Sequence, residues 1–362
     1  MMDSSQHREG AGRLVDGKTI NGIDEARLYV ERSRAFREEL GIPKGAAVDL
    51  APLGQGEHNA NFTFAHPSSG VRYVLRVNYA SQLGLDNQVA YEAAALHALE
   101  PCGRTPKVLL CDDSREAIDR GVLVEELRTG TLLDFHNPAM VREAARVMAD
   151  VHALRPELDC GIIRPNDPLR AQYDTCWAYF DAYLSSDLAE PHVVRYAREF
   201  FARTAESLEV PFDAAECTHV VNTEAVPSHF LIPIDGGGNV CGRGSMLDWE
   251  KPVIGEVAQD VAYFLSPTTT IWDTDYIFDE PAREAFIREY WRAVGGRFSR
   301  GGFDERLGAY TMSNCLLGIT WSCNAWVEYH DPARPLKNDK TFELLKTYLS
   351  ESYLEEVKRI CF

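Results

Sequence analysis

The sequence predicts an α+β protein of two lobes with a cleft between them, on three observations. Up to Leu127 the apolar residues alternate in short runs, as in half-buried strands. Beyond Leu127 they recur at helical spacing over most of the remaining chain. Into that helical half are inserted, late, a few short apolar strands whose ends carry Asn222, Glu224, His229 and Asp248. Carboxylates at buried strand ends are costly to desolvate unless a cation lies between them, so the insertion is where a site is expected.

Taken in order, residues 1–23 are polar, contain Gly10, Gly12 and Gly17, and read as a flexible N-terminus. "IDEARLYVERSRAFREELG" (23–41) has helical spacing, with Asp24 as cap and Gly41 as stop. In "VDLAPLGQGEHNANFTFAHPSSGVRYVLRVN" (48–78) the second half alternates on both sides of the turn-rich "HPSSG", which predicts a hairpin. A helix over 86–100 follows, with Val89, Ala93, Leu96 and Leu99 on one face. "TPKVLLCDD" and "GVLVEEL" give two more buried strands and complete a first lobe at 24–127. The second lobe, 128–362, opens with helices over 137–155, 166–186 and 190–209. The strands within "CTHVVNTEAVPSHFLI" (217–232) and the strand end "MLDWE" come next, with "DGGGNVCGRG" (235–244) as a hairpin tip. Helices resume from about Arg283 to Phe362.

The 362 residues are 45% hydrophobic and 25% charged, an ordinary globular balance, with a formal charge of −18. That sign argues against nucleic acid, because no basic stripe is present to neutralise phosphates. No membrane is expected either: no apolar run reaches the roughly 20 residues that span a bilayer. "MMDSSQHREGAG" lacks the apolar core of a secretory signal. Nine cysteines without a C-x-x-C pair read as reduced thiols of a cytoplasmic protein, with neither zinc nor a disulfide framework.

Several stretches carry candidate chemistry. In "LGQGEHNAN", Gly54 and Gly56 precede Asn59; such glycines let backbone N–H groups approach a phosphate, although a tight turn uses them too. Arg76 is a cation on the apolar strand "YVLRVN", and Glu92 on the next helix is its candidate partner; an ordinary surface arginine is the alternative. "GVLVEELRTG" joins the lobes and offers backbone groups near Glu125, Glu126 and Leu127 to an adenine edge. Glu224 and Asp248, converging on a cleft, suit a divalent cation plus a base where phosphoryl groups share the site. His229 is a third candidate ligand, set against a packed core histidine. Asp260, at the start of an apolar helix, is explained by a cap or by bonds to loop amides.

In this order the stretches resemble the aminoglycoside phosphotransferase family, which shares the protein-kinase-like fold. The resemblance covers residues from about 48 to 330 and uses "GQGEHN", "YVLRV", "YEAAALHAL", "VLVEELRTG" and "MADVHAL". The family's catalytic loop, H-x-D-x-x-x-x-N, falls on "NTEAVPSHFL", its metal loop on "LDWE" and its trailing D-L-A on "QDVAYFL". The N-T-E form and "SPTTTIWDTD" resemble a bacterial branch of the family.

The resemblance implies a small nucleotide-binding N-lobe and a larger helical C-lobe with catalytic and metal loops. It implies ATP or GTP with Mg²⁺, or Mn²⁺, held by Gly54, Gly56, Asn59, Arg76, Glu92, Glu125, Glu126 and Leu127. Glu224 stands at the catalytic-base position, and Asn222 replaces a histidine that is mainly structural. Asp248 and His229 stand at the metal positions. The implied reaction moves the γ-phosphoryl group to a hydroxyl of a small molecule: aminoglycoside-like, a nucleoside, or another antibiotic or metabolite. A cationic acceptor is one version and a small peptide a lesser one.

Three departures matter. Asn222 for histidine is mild, Glu224 for aspartate lengthens the arm by one methylene, and His229 for asparagine offers magnesium a poor ligand. They motivate the alternative of a catalytically weak or inactive nucleotide-binding scaffold, and nucleotidyl transfer is a further option. Trp177, Tyr179, Trp272, Tyr276, Trp321 and Trp326 are candidates for an acceptor pocket, against simple core packing. Asp273, Asp275, Asp279 and Glu280 are candidates for holding a cationic acceptor, against a solvated loop.

Overall fold

The computed structural model describes residues 22–157, 159–211, 217–334 and 336–362. The N-terminus expected to be flexible therefore lies, up to residue 21, outside the described residues. The segment 23–41 forms two helices, α1 (Ile23–Arg32) and α2 (Arg34–Glu39). The break is Ser33, whose backbone is extended and whose Oγ accepts the Phe36 N–H at 3.1 Å, capping the second helix. Asp24 is not the cap expected of it. Gly22 takes that place at φ 86°, and Asp24 sits in the first turn, where its charge favours the helix dipole. Gly41 follows at φ 63°, the left-handed turn that a helix stop needs.

Five strands form one antiparallel sheet: β1 (Ala51–Gln55), β2 (Asn59–Ala65), β3 (Arg72–Asn78), β4 (Val108–Asp112) and β5 (Val122–Glu126), in the order β1-β2-β3-β5-β4. The predicted hairpin is β2–β3, with Phe62 opposite Leu75 and Asn61 opposite Arg76. Period two gives the sheet unlike faces. Phe62, Phe64, Leu75, Val77, Val122 and Val124 are buried in the cluster that includes Ala26, Tyr29 and Phe36 of α1 and α2. Arg76 and Glu125 lie on the other face, since Arg76 pairs with Leu123 and Val74 with Glu125. The helix α3 (Gln88–Leu99), capped by Asn87, carries a buried Glu92 to that face.

The connector continues into β6 (Thr131–Leu132) and then α4 (Pro138–His152), α5 (Pro168–Leu184) and α6 (Pro191–Ser207). Asn137 and Asp167 cap α4 and α5 with side-chain bonds, each ahead of a proline at the first helical position. The strands of 217–232 are β7 (His219–Val221) and β8 (Phe230–Ile232), and they do not pair with each other. Instead β8 lies between β6 and β9 (Ser245–Met246), while β7 pairs with β10 (Val253–Gly255). The polar loop between β7 and β8 thus bridges two separate ribbons. The helices α7 (Val257–Leu265), α8 (Pro267–Asp273), α9 (Glu280–Val294), α10 (Phe303–His330), α11 (Asp339–Tyr348) and α12 (Glu351–Cys361) complete the lobe. The long α10 packs on α5, α6, α7 and α8. Among the described residues, no helix is long and apolar enough to cross a membrane.

Candidate functional site

Arg76 is almost fully buried, so its charge needs partners, and it has three. Its Nε lies 3.3 Å from Glu92, and its Nη2 lies 2.7 Å from Asp248 and 3.2 Å from Glu250. The sequence pointed to Glu92; the other two come from the second lobe. Glu250 also accepts from Asn59 at 2.5 Å, and its carbonyl accepts from Gln88 at 2.5 Å. One guanidinium therefore faces several acids, and their protonation divides accordingly. Burial, with Asp248 next, raises the Glu250 carboxyl, and burial raises Glu92 and Glu125 as well. Burial alone would raise Asp248 too, but Arg76 and then His229 outweigh it and hold that carboxyl below its ordinary range.

Loop geometry aims Glu224 and Asp248. Thr223 and Asp248 adopt left-handed backbones, φ 69° and 59°, which non-glycine residues rarely hold without support. Asp260 supplies it for the first loop: its buried carboxylate accepts the N–H groups of Asn222 at 2.7 Å and Thr223 at 2.8 Å. Bonding to loop amides, not capping, explains Asp260. It is itself fixed by His152, 3.2 Å away, whose other ring nitrogen meets the Tyr290 hydroxyl at 2.8 Å. Asn222 binds the loops together, donating Nδ2–H to the Asp248 carbonyl at 2.7 Å and accepting the Glu224 N–H at 3.1 Å. Thr223 adds a bond to the Lys251 carbonyl at 3.1 Å.

Lys251 is the residue the sequence reading missed. Its ammonium lies 2.5 Å from Glu224, at 13% side-chain exposure. Burial opposes its charge, but Glu224 leads the neighbours that outweigh burial, so its pKa is raised. The only signal was a lysine three residues beyond Asp248. Glu57 was missed too. It stands in the β1–β2 loop, and its carboxylate accepts from Tyr329 at 2.8 Å, Thr341 at 2.8 Å and Arg334 at 2.6 Å, which tie the loop to α10, α11 and the turn between them.

Glu224, His229, Asp248, Glu250 and Lys251 open into one cavity of about 300 Å³, roofed by Gly56, Glu57 and His58 of the β1–β2 loop. Gly54 and Gly56 keep φ outside the left-handed region, and a side-chain carbon at Gly54 would meet nothing within 4 Å. The loop's own geometry thus does not demand glycine at 54; open space lies above it. Glu125 and Glu126 end β5, and the Glu126 N–H is already bonded to the Lys107 carbonyl at 2.9 Å.

A metal ion has limited support from the chain alone: among the described residues, no three His, Cys, Asp or Glu side chains cluster around a common point. An ion that arrives on phosphate oxygens requires only one or two protein carboxylates, and Asp248 on the cavity wall fits that requirement. His229 points Nε2 at Asp248 Oδ2, 3.3 Å away, while its buried Nδ1 has no hydrogen-bond partner among the described residues.

Of the aromatic candidates, Trp321 lines the cavity, and the Tyr179 hydroxyl accepts from Gln82 at its edge. Trp177 instead stacks on Phe201, Trp326 on Phe342 and Tyr276 on Phe135. The side chains of Trp272 and Asp273 lie outside the described residues. Asp275 meets His136 in solvent, Asp279 caps α9, and Glu280 is exposed beside Arg283. None of these three acids lines the cavity.

The profile of the phosphotransferase enzyme family matches residues 49–306. No curated protein matches the sequence. A choline kinase from Cryptosporidium parvum superposes with TM-score 0.61 at 13% identity, over 93% of this chain and 95% of its own. An ethanolamine kinase from Plasmodium vivax gives 0.60 at 14% identity, over 91% and 88%. A spectinomycin phosphotransferase bound to ADP and spectinomycin gives 0.59 at 7% identity, over 87% and 93%. At these identities the likeness is one of fold, which is the protein-kinase-like α+β arrangement of a sheet lobe and a helical lobe.

Proposed function

The chain belongs to the phosphotransferase enzyme family, and from that premise we propose that it moves the γ-phosphoryl group of ATP or GTP to a hydroxyl of a small molecule. One observation carries the reading: Glu224 and Asp248 open into a single cavity beneath the glycine loop, with Arg76 bonded to Asp248. Phosphoryl transfer depends mainly on positioning and on charge stabilisation, and the cleft supplies both.

In this reading Arg76 and the backbone around Gly54 and Gly56 hold the nucleotide phosphates, with the β5 connector beside the base. Asp248 would hold a magnesium or manganese ion that arrives with the nucleotide and neutralises phosphate charge. His229 orients Asp248 as an N–H donor. Glu224 accepts the proton of the acceptor hydroxyl. Its longer arm is fixed at the tip by Lys251, which also carries positive charge to where the transferred group passes. Asn222 keeps the two acids at constant separation. We place the protein in the cytoplasm, where its nine cysteines would stay reduced.

The test is nucleotide consumption by purified protein with Mg²⁺ or Mn²⁺ across an acceptor screen. Glu224→Gln and Asp248→Asn are expected to abolish the stimulated turnover, and turnover surviving both would overturn the assignment. The pairing of Asp248 with His229 favours one second reading, a nucleotide-binding protein without turnover. Calorimetry showing nucleotide binding with no consumption in the whole screen would support it.

A further inference from the structure

We infer that the acceptor is a neutral, polyhydroxylated compound of sugar or nucleoside size and not a polycation, an inference that rests on the kinase reading of the same cavity. The volume, about 300 Å³, is at the lower end of small-molecule sites and admits one or two rings.

Charge is the first argument. Four carboxylates line the cavity, and each is already bonded to an internal cation: Glu57 to Arg334, Glu224 to Lys251, and Asp248 and Glu250 to the shared Arg76. An ammonium group would have to displace an internal cation from a desolvated pair, which is costly.

Hydrogen bonding is the second. Ser228, Tyr263 and Thr269 line the cavity, and among the described residues their side-chain hydroxyls have no hydrogen-bond partner. Hydroxyls that both donate and accept are best matched by hydroxyls. Trp321, Leu317 and Leu344 add apolar surface to the same lining, as the C–H face of a sugar ring requires. Glu224 lines the same cavity. In the transfer, the acceptor oxygen bonds to the γ-phosphorus as the bond from that phosphorus to the β,γ-bridging oxygen breaks. The nucleoside diphosphate leaves with that electron pair, and the hydroxyl proton passes to the Glu224 carboxylate.

The experiment is calorimetry on the full chain with AMP-PNP and Mg²⁺, titrating D-ribose, D-glucose, myo-inositol and uridine against choline, ethanolamine, kanamycin and spectinomycin. At least one neutral probe is expected to bind at least tenfold more tightly than every cationic one. Thr269→Val and Ser228→Ala are each expected to weaken it about tenfold while leaving AMP-PNP affinity unchanged. Uridine ahead of ribose assigns a nucleoside, and the reverse a free sugar. A cationic probe that binds more tightly, or no binding by any neutral probe, overturns the inference while AMP-PNP binding leaves the kinase reading standing. Failure of AMP-PNP itself to bind removes both.

Discussion

At the scale of single residues, the proposed role of Glu224 as a base turns on Lys251, which lies 2.5 Å from it. If it fixes the Glu224 tip and meets transferred charge, Lys251→Met is expected to lower kcat by about 10²-fold with little change in AMP-PNP affinity. Equal loss of both would make it a binding residue only. Arg76 and Lys251 show what a sequence can and cannot disclose. A guanidinium on an apolar strand must have a buried partner, so Arg76 and Glu92 were legible together. A lysine in a loop is ordinarily solvated, and nothing local says that the loop folds back onto Glu224. His219 yields a second prediction. Burial and, after it, Arg155 lower its pKa from 6.5 to about 3, even though its Nδ1 lies 2.6 Å from the His152 carbonyl, a contact that raises it. In that window the unfolded chain binds a proton that the fold refuses, so stability is complete above pH 6.5 and falls as pH drops. The loss approaches roughly 3–5 kcal/mol near pH 3. Denaturant titrations of His219→Gln should show a shallower slope of stability with pH between 6 and 4; an unchanged slope would assign the acid lability elsewhere.

At the scale of elements, the β1–β2 loop is a roof fastened at one point. Glu57→Gln weakens the bond to Arg334 and leaves the neighbours intact, so amide exchange at residues 54–58 is expected to quicken about tenfold while α10 is unaffected. Exchange unchanged at those amides would mean that nothing depends on the fastening. Such a tie joins residues far apart in sequence and left no trace in local pattern. Ser33 is the opposite case: its capping bond was local, but the helical spacing runs through it and hid the break between α1 and α2. Ser33→Ala should cost about 1 kcal/mol in denaturant stability. The β2–β3 hairpin was legible because alternation and the "HPSSG" turn agree. The partners of β7 and β8 were not, because three-residue strands carry too little pattern to specify which edge they join.

At the scale of the whole molecule, the lobes share one apolar core, which Tyr91, Leu96, Leu99 and Leu123 of the first lobe join, and buried polar ties that include Arg76 to Asp248 and Glu250, Arg104 to Glu143 and Asp150, Asn59 to Glu250, and Glu57 to Arg334. Removing the guanidinium leaves several buried acids uncompensated. Arg76→Met is therefore expected to lower a single calorimetric unfolding transition, because the shared apolar core still couples the lobes; two separate transitions would show that the guanidinium alone had coupled them. The anchorage of Asn222 and Thr223 on Asp260, and of Asp260 on α4 and α9 through His152 and Tyr290, has an evolutionary corollary. On the proposed function the reacting groups hang from one pillar of the molecule and the acceptor wall from another, chiefly α8, α10 and α11. On that reading, substitutions in the second pillar would change what is phosphorylated without disturbing the first.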